Sequence, residues 1–291
     1  MIQYAENKHR PELRRLWECC FPADSAQFLD YYFEHIFRPD ETLLYLHDHK
    51  PAASLQMMPY QLKVGDSSCN ACYFYGIMTR PELRRNGYMG RLLTAAFDEM
   101  RKRAIDVSFL IPQESWLFEI YEKFGYRRAF PVFPFKKLPF HRVFADVTVA
   151  EQTATAIAVY TEFHESAAQA LFPLYTRFLT QKTHVVLKNF RQFSDLLRVF
   201  FMEGGTLFTE CKNDFAFCLR DENGIRIKES YFSAPTERDR YLSFIADYFS
   251  TDELLMSDSG MSANFTFYGM IKALDPQFAI PENIYMSMML D

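Results

Sequence analysis

The chain has 291 residues, of which 49% are hydrophobic and 17% aromatic, so it can bury a large core and does not belong to the disordered class. The net charge of −5 is uneven: residues 1–150 hold 20 Lys and Arg against 18 Asp and Glu, and residues 151–291 hold 12 against 19. We therefore expect no nucleic-acid partner. The first residues are polar, so we expect no signal peptide. No apolar run approaches ~18 residues, so we expect no membrane partner.

Six cysteines occur along the chain, and two of them, Cys69 and Cys72, have a CxxC spacing. No second pair of Cys or His stands at the spacing of a zinc site, although a lone CxxC leaves a metal site open as the alternative. We favour reduced thiols, no metal and a cytoplasmic location.

Apolar spacing predicts the elements of the first half in chain order. They are helices over 8–20 and 25–37, strands near 42–47, over 51–64 and over 71–79, a helix from Tyr88, a strand over 107–111, a helix capped by Ser115 and ended by Gly125, and a strand over about 127–136. This order predicts an α/β fold with a mixed sheet and helices on its faces.

A link over 136–146, which contains Pro139, precedes a second half with roughly the same order of elements. Its predicted elements are helices near 164–180, 187–202 and 236–248, and strands near 205–211, 214–220, 225–233, 253–258 and 283–290. We therefore predict two similar domains in tandem, over 1–140 and 150–291.

The stretch TRPELRRNGYMGRLL, residues 79–93, places arginines and glycines immediately before a clean helical pattern. The first N–H groups of a helix have no internal partner and carry partial positive charge, so they favour an anion. Gly87 permits close approach of the backbone to a ligand, and Arg84 and Arg85 add charge. The loop suits a pyrophosphate, but lacks the glycine patterns of dinucleotide folds and P-loops. The alternative is an ordinary helix start with a solvated loop.

The stretch from Ile77 to Leu93 resembles the acetyl-CoA motif of the GNAT superfamily of N-acetyltransferases, and Ile120-Tyr-Glu-Lys-Phe-Gly-Tyr126 is similar to a later segment of that superfamily. The resemblance covers about residues 1–135. Met89 departs from the usual Gly or Ala, as in tandem GNAT proteins of the Eis type. The resemblance therefore implies two GNAT-like domains, the second degenerate, without the sterol-carrier-like domain of the Eis type.

The resemblance also implies roles for particular residues. Backbone groups of Ile77 and Met78 would pair with pantetheine, amides of the loop would hold the pyrophosphate, and Tyr121 would protonate the departing thiolate. The alternative for Tyr121 is an aromatic packing residue. The residues implied to bind acetyl-CoA are Ile77, Met78, Thr79, Arg84, Arg85, Asn86, Gly87, Tyr88, Met89 and Gly90.

The general base is less sharply indicated. Asp24 and Glu114 are candidates for acceptor binding or for proton removal, because both fall in loops near the expected cleft. The apolar run 284–290 ends in Asp291, and in Eis-type enzymes and N-myristoyltransferases the terminal carboxylate reaches the first domain's active site. The resemblance implies the same catalytic role for Asp291, with a simple last strand of the second sheet as the alternative.

We predict an acetyl-CoA-dependent N-acetyltransferase that acts on a primary amine of a small or cationic acceptor, which the acidic second half would attract. Two other functions stay open: a non-catalytic module that binds acyl-CoA or a partner, and a tandem-GNAT transferase that takes its acyl group from aminoacyl-tRNA. The second would need a basic surface, which the net charge does not favour. The sequence does not indicate the oligomeric state.

Overall fold

The structure is a computed structural model and describes residues 1–139, 156–210, 212–257 and 265–290. The α-helices are α1 (Arg10–Cys20), α2 (Ala26–Tyr31), α3 (Tyr88–Lys102), α4 (Leu117–Glu122), α5 (Glu165–Thr180), α6 (Phe190–Met202) and α7 (Pro235–Phe249). The strands are β1 (Ile2–Tyr4), β2 (Thr42–His47), β3 (Lys50–Val64), β4 (Ser67–Thr79), β5 (Val107–Leu110), β6 (Arg127–Val132), β7 (Phe135–Pro139), β8 (Ala158–Tyr160), β9 (His184–Leu187), β10 (Thr206–Glu210), β11 (Asp214–Asp221), β12 (Gly224–Tyr231), β13 (Glu253–Ser257) and β14 (Thr266–Ala273).

Most predicted elements are confirmed, because their apolar spacing is strong. Helix α3 buries Leu92, Leu93, Ala96, Phe97 and Met100, which are steps of three and four along the chain. Of the two predicted ends of α4, one is wrong and one is confirmed. Ser115 does not cap it, since Trp116 is the N-cap residue and makes no side-chain cap bond, whereas Gly125 follows the helix with φ +82° as predicted.

The strands form two mixed sheets. The first has the order β1-β2-β3-β4-β5-β14-β6, with β9 paired to the far half of β3. The second has the order β7-β13-β12-β11-β10-β8. In each sheet one internal pair is parallel, β4 with β5 and β12 with β13, and both parallel registers are short. The predicted α/β class with two similar units is therefore confirmed.

The two sheets exchange a strand. The predicted strand over 127–136 is two strands: β6 stays in the first sheet, and β7 pairs with β13 in the second. Pro134 stands in the break, where a residue without an N–H cannot continue a ladder. In return, β14 lies between β5 and β6 in the first sheet. The predicted domains, 1–140 and 150–291, stay a prediction. Each sheet contains at least one strand from the other half of the chain.

Other differences lie near the exchanged strands. Residues 136–139 of the predicted link belong to β7, and its remainder lies outside the described residues. The predicted last strand, 283–290, is wrong: the segment makes one isolated bridge, between Val185 and Tyr285. Asn283 and Ser287 have φ of +56° and +59°, which interrupts extended pairing. The sequence analysis missed β1, β8, β9 and β14.

Two apolar layers enclose the first sheet. Helix α3 packs on one face with Phe74 and Leu110, and helices α1 and α2 pack on the other with Tyr73 and Phe109. The second layer also contains Leu196 and Val199 of α6, so the core of the first sheet continues into the second half.

Candidate active site

Strands β4 and β5 separate along their length. Their parallel register covers only Ala71–Tyr73 against Val107–Phe109, and beyond Leu110 the chain leaves β5. Strand β4 continues to Thr79, paired with β3 on its other side through Met78 and Thr79. In the described residues, the β5 side of β4 beyond Tyr73 therefore has no partner strand. The edge of β4 near Ile77 and Met78 faces an opening in the sheet, where the backbone of an edge strand can hydrogen-bond an extended ligand.

A bulge bends β4 at this opening. The register to β3 shifts between Ser54 and Gln56, and Gly76 has φ +56°. A Cβ on Gly76 would lie 2.7 Å from Cζ3 of Trp17, so only glycine satisfies both the backbone conformation and the close approach of α1.

The start of α3 lies beyond the end of β4. Gly87 is its N-cap residue with φ +75°, and no side chain caps the helix. Arg85 also has a positive φ, of +67°. In the described residues, the first backbone N–H seen to donate to a backbone carbonyl after Arg84 is that of Arg91, which bonds the oxygen of Gly87 3.1 Å away. The N–H groups from Arg85 to Gly90 are thus available to an anion.

Most predicted loop residues surround this helix start. Arg84, Arg85, Asn86 and Gly87 are exposed. The Arg84 Nε donates to the carbonyl of Thr79 (3.3 Å), which ties the loop back to the end of β4. The Asn86 amide donates to the carbonyl of Leu83 (3.0 Å).

The first turn of α3 is fixed by packing. The Tyr88 ring stacks on Tyr45 with centroids 4.3 Å apart. Met89 is half-buried against the α3 core, so its side chain packs with that core despite the departure from the family pattern. A Cβ on Gly90 would lie 3.0 Å from the ring of Phe124. Glycine therefore fits at this position because the segment after α4 packs closely against it.

Tyr121 lies on α4 in the core that also contains Phe74 and Leu110, and it is 5% exposed. Its ring packs edge-on against Tyr126, with centroids 5.9 Å apart. Burial raises the pKa of its hydroxyl, so the group keeps its proton at neutral pH. No hydrogen bond joins that hydroxyl to another described residue, whereas the hydroxyl of Tyr126 bonds Ser108 (2.6 Å).

The two predicted carboxylates have different surroundings. Asp24, in the loop between α1 and α2, accepts a hydrogen bond from Nε1 of Trp17 (2.6 Å), the same ring that covers Gly76. Glu114 is exposed in the loop that follows β5. Asp24 is thus held by a core indole, and Glu114 is open to solvent.

The segment 283–290 enters the first sheet's core. Ile284, Met286, Met289 and Leu290 are each at most 5% exposed and belong to the core on the α1 side. The Tyr73 hydroxyl donates to the carbonyl of Leu290 (2.7 Å), and Tyr73 is the last residue of β4 that pairs with β5. Asp291 itself lies outside the described residues.

The sequence analysis missed three aromatic residues of this site, namely Trp17, Tyr73 and Tyr75. Tyr73 and Tyr75 face the α1 side, and Cys72 and Phe74 face α3. Trp17 packs against Tyr75 with centroids 5.5 Å apart. The signal was the alternation in Cys72-Tyr-Phe-Tyr75, which places two tyrosines on one face of a strand.

Two general findings concern the described residues. No group of three or more His, Cys, Asp or Glu side chains stands close enough to hold a metal ion. Within the same ranges, no helix has the length and apolar character needed to cross a membrane.

Comparison with known proteins defines the class. Residues 1–129 match the family model of the acetyltransferase (GNAT) domain. No curated protein matches the sequence. A probable N-acyltransferase from Enterococcus faecalis V583 is 12% identical with a TM-score of 0.74, over 94% of this chain and 72% of that one. Eis1 from Mycobacterium abscessus is 13% identical with a TM-score of 0.69, over 94% and 74%. A tandem GNAT protein from the clavulanic acid biosynthesis pathway is 10% identical with a TM-score of 0.51, over 95% and 99%.

These likenesses agree with the geometry of the opening and of the α3 start. Residues 1–129 are a GNAT acetyltransferase domain, and the protein is an acyltransferase enzyme. Its fold as a whole is of the tandem-GNAT, Eis-like type.

Proposed function

We propose that the protein is an N-acetyltransferase that transfers the acetyl group of acetyl-CoA to a primary amine of a small or cationic acceptor. The observation that carries the proposal is the opening between β4 and β5, which leads to the uncapped start of α3. An extended pantetheine fits the unpaired edge of β4 near Ile77 and Met78. A pyrophosphate fits the free amides from Arg85 to Gly90, with Arg84 beside them.

The chemistry follows from these positions. The nitrogen of a neutral amine attacks the thioester carbonyl, the C–N bond forms, and the carbonyl oxygen becomes an oxyanion that backbone N–H groups of β4 can stabilise. The C–S bond then breaks, and the CoA thiolate takes a proton from the hydroxyl of Tyr121. Burial keeps that hydroxyl protonated, and no described side chain competes for it.

The amine must also lose its proton. In this proposal the acceptor of that proton is a carboxylate at the opening. Asp291 is the first candidate, because Leu290, its neighbour in sequence, is bonded to Tyr73 beside the opening. Glu114 is the second, because it lies in the loop after β5 and is exposed. Asp24 has a smaller role, since Trp17 already occupies one of its oxygens.

The acceptor class is argued from charge. Residues 151–291 hold 12 Lys and Arg against 19 Asp and Glu, and a negative field raises the local concentration of a cation. A cytoplasmic location, expected from the cysteine content, belongs to the same proposal.

Release of free thiol from acetyl-CoA tests the proposal. The panel consists of a polyamine, a lysine peptide, a neutral alkylamine and an arylamine. We expect turnover with at least one amine, and for a cationic acceptor a KM that rises with ionic strength, because salt screens the attraction. A protein that releases no thiol with any amine, and does not bind CoA, contradicts the proposal.

A further inference from the structure

A buried carboxylate in the second half contacts the segment 283–290. Glu229 on β12 is 5% exposed. The hydroxyl of Tyr285 donates to its Oε1 (2.5 Å), and the hydroxyl of Tyr175 on α5 donates to its Oε2 (3.0 Å). The backbone of Met288 also hydrogen-bonds it. Two of these three donors belong to the segment, so hydrogen bonds to the carboxylate hold the segment in place.

A buried amine reaches the same segment. The Nζ of Lys188, which lies just after β9, donates to the hydroxyl of Ser287, and Lys188 is 8% exposed. Its charge and that of Glu229 stabilise each other. Together Glu229, Lys188 and Tyr175 hold three residues of the segment from the second half, and the acyl-transfer chemistry described above uses none of them.

The segment divides its side chains between the two halves. Ile284, Met286 and Leu290 enter the core of the first sheet, whereas Tyr285 packs against the core of the second half. Met286 reaches β14 and β5: a Cβ on Gly269 would lie 3.0 Å from its methyl carbon and 2.8 Å from the carbonyl of Leu110. The segment thus connects the second sheet to the opening in the first.

The backbone of the segment needs this support. Asn283 and Ser287 both have a positive φ, a conformation that is uncommon for non-glycine residues. The hydroxyl of Ser287 is bonded by Lys188, and the backbone of Tyr285 is bonded in register with β9, through His184 and Val186. Contacts from the second half therefore impose the path that delivers Leu290 to Tyr73.

We infer that Glu229 is a positioning residue of the acyl-transfer site, and that it acts through Tyr175, Tyr285 and Met288 to fix the segment 283–290 against the opening between β4 and β5. This inference rests on the proposed function. The second half of the chain thereby has a defined role, since its buried network sets the geometry of a site that lies in the first sheet.

A purely stabilising role for the network explains the structure less well. Buried ionic groups usually stabilise a fold no better than apolar side chains of the same volume, and their best-attested use is to specify one arrangement. Here the bonds of Glu229 to Tyr285 and of Lys188 to Ser287 both reach one irregular segment.

Kinetics of Glu229→Gln and Tyr285→Phe test the inference, with Tyr231→Phe as the matched control. Tyr231 lies two residues from Glu229 on β12, and its hydroxyl bonds no described residue of the segment. We expect kcat to fall about tenfold or more in the first two variants, because a small misplacement of reacting groups has effects of that size, while KM for acetyl-CoA stays the same. The control should keep the kcat of the wild type. Equal losses in all three variants, or a change in KM alone, overturn the inference.

A double-mutant cycle separates positioning from general stability. Tyr285→Phe and Tyr73→Phe act on opposite ends of the segment, so their effects on kcat should be non-additive if the segment is one positioned element. Additive effects overturn the inference.

Digestion of the 291-residue chain with a carboxypeptidase gives a readout that needs no activity. Leu290 should be released faster from Glu229→Gln and Tyr285→Phe than from the wild type or Tyr231→Phe. If the wild type transfers no acetyl group, only the proposed function is contradicted, and faster release of Leu290 from the two variants still supports the role of Glu229 in holding the segment. Equal release from all four proteins overturns that role.

Discussion

The hydroxyl of Tyr73 donates a hydrogen bond to the carbonyl of Leu290 across 2.7 Å, and joins residues that are 217 positions apart in the chain. Tyr73 is the last residue of β4 that pairs with β5. The end of the described chain is thus anchored where the first sheet opens. This bond links the second half of the sequence to the candidate active site.

Tyr73→Phe should lower both stability and turnover. The variant leaves a buried carbonyl without its donor, which costs about 1–3 kcal/mol of unfolding free energy. Urea unfolding measures this loss. The control is Tyr60→Phe, which also changes a buried tyrosine of this core, packed at a centroid distance of 6.1 Å from Tyr73, but one whose hydroxyl bonds no described residue. Equal stability of the two variants would contradict a role for the bond.

Tyr121→Phe tests the general acid. The ring packing in the α3 core stays, and only the hydroxyl is lost. Turnover should fall about 10²- to 10⁴-fold, while the affinity for acetyl-CoA and the melting temperature change little. The measurement is thiol release under saturating acetyl-CoA, with calorimetry for binding. Tyr126→Phe provides contrast, because its hydroxyl is engaged by Ser108 (2.6 Å), and we expect it to change stability more than turnover. Wild-type turnover in Tyr121→Phe would return this residue to a packing role.

CoA should stabilise the protein through the start of α3. At about 100 Kd, ligand linkage adds about 2.7 kcal/mol to the unfolding free energy, which thermal shift detects as a higher melting temperature. Dephospho-CoA should keep most of the shift and pantetheine should lose most of it, because only the former carries the pyrophosphate. An equal shift with pantetheine would show that the helix start does not hold this group.

A matched pair of glycine variants tests whether the stabilisation by CoA arises at the start of α3. Gly87 and Gly65 have φ of +75° and +61°, and a Cβ on either meets no atom within 4 Å. Gly87→Ala and Gly65→Ala should therefore lose similar stability, about 1 kcal/mol each, from the backbone conformation. Only Gly87→Ala should also lose the shift with CoA, because its methyl group would occupy the ligand's approach. Loss of the shift in both variants would point to a global effect.

The bulge in β4 should be intolerant of any side chain. Gly76→Ala combines a φ of +56° with a contact of 2.7 Å to Trp17, so it should lose about 1–3 kcal/mol more than Gly65→Ala, which has the strain without the contact. Chemical denaturation of both variants gives the difference, and Trp17 fluorescence reports the movement of α1. Similar losses in the two variants would mean that α1 shifts without resistance.

The lowered pKa of Lys188 makes the unfolding free energy of the protein depend on pH. Burial lowers its pKa from 10.5 to about 8. Between these values the unfolded chain binds more protons than the folded protein, so this group adds stability as pH rises from about 8 towards about 10.5. Relative to Lys188→Met, the wild type should gain unfolding free energy over that window and keep a constant difference below it. Urea unfolding of both proteins at several pH values measures the difference, and a flat difference throughout would contradict the lowered pKa.

The sequence determined what depends on neighbours within a few positions. Steps of three and four apolar residues predicted α3, since the side-chain period reports the buried face directly, and two strand-like runs separated by a turn predicted β3 and β4. Gly125 was predicted from backbone sterics as the residue that ends α4, and it has the positive φ that glycine allows. The loop over 79–93 was recognised for the same reason: its amides, glycine and arginines are contiguous in the chain.

Tertiary structure alone decided which sheet receives each strand. Strands β7 and β14 cross to opposite sheets, yet their sequences do not specify a partner, because every residue except proline has the same backbone N–H and C=O groups for pairing. The path of residues 283–290 was predicted as a strand and is instead held by Glu229, Lys188 and Tyr73, which are far away in sequence. Contacts of that kind are fixed only when both halves pack around one segment, since local propensity there is weaker than the burial and hydrogen bonds the packed core supplies.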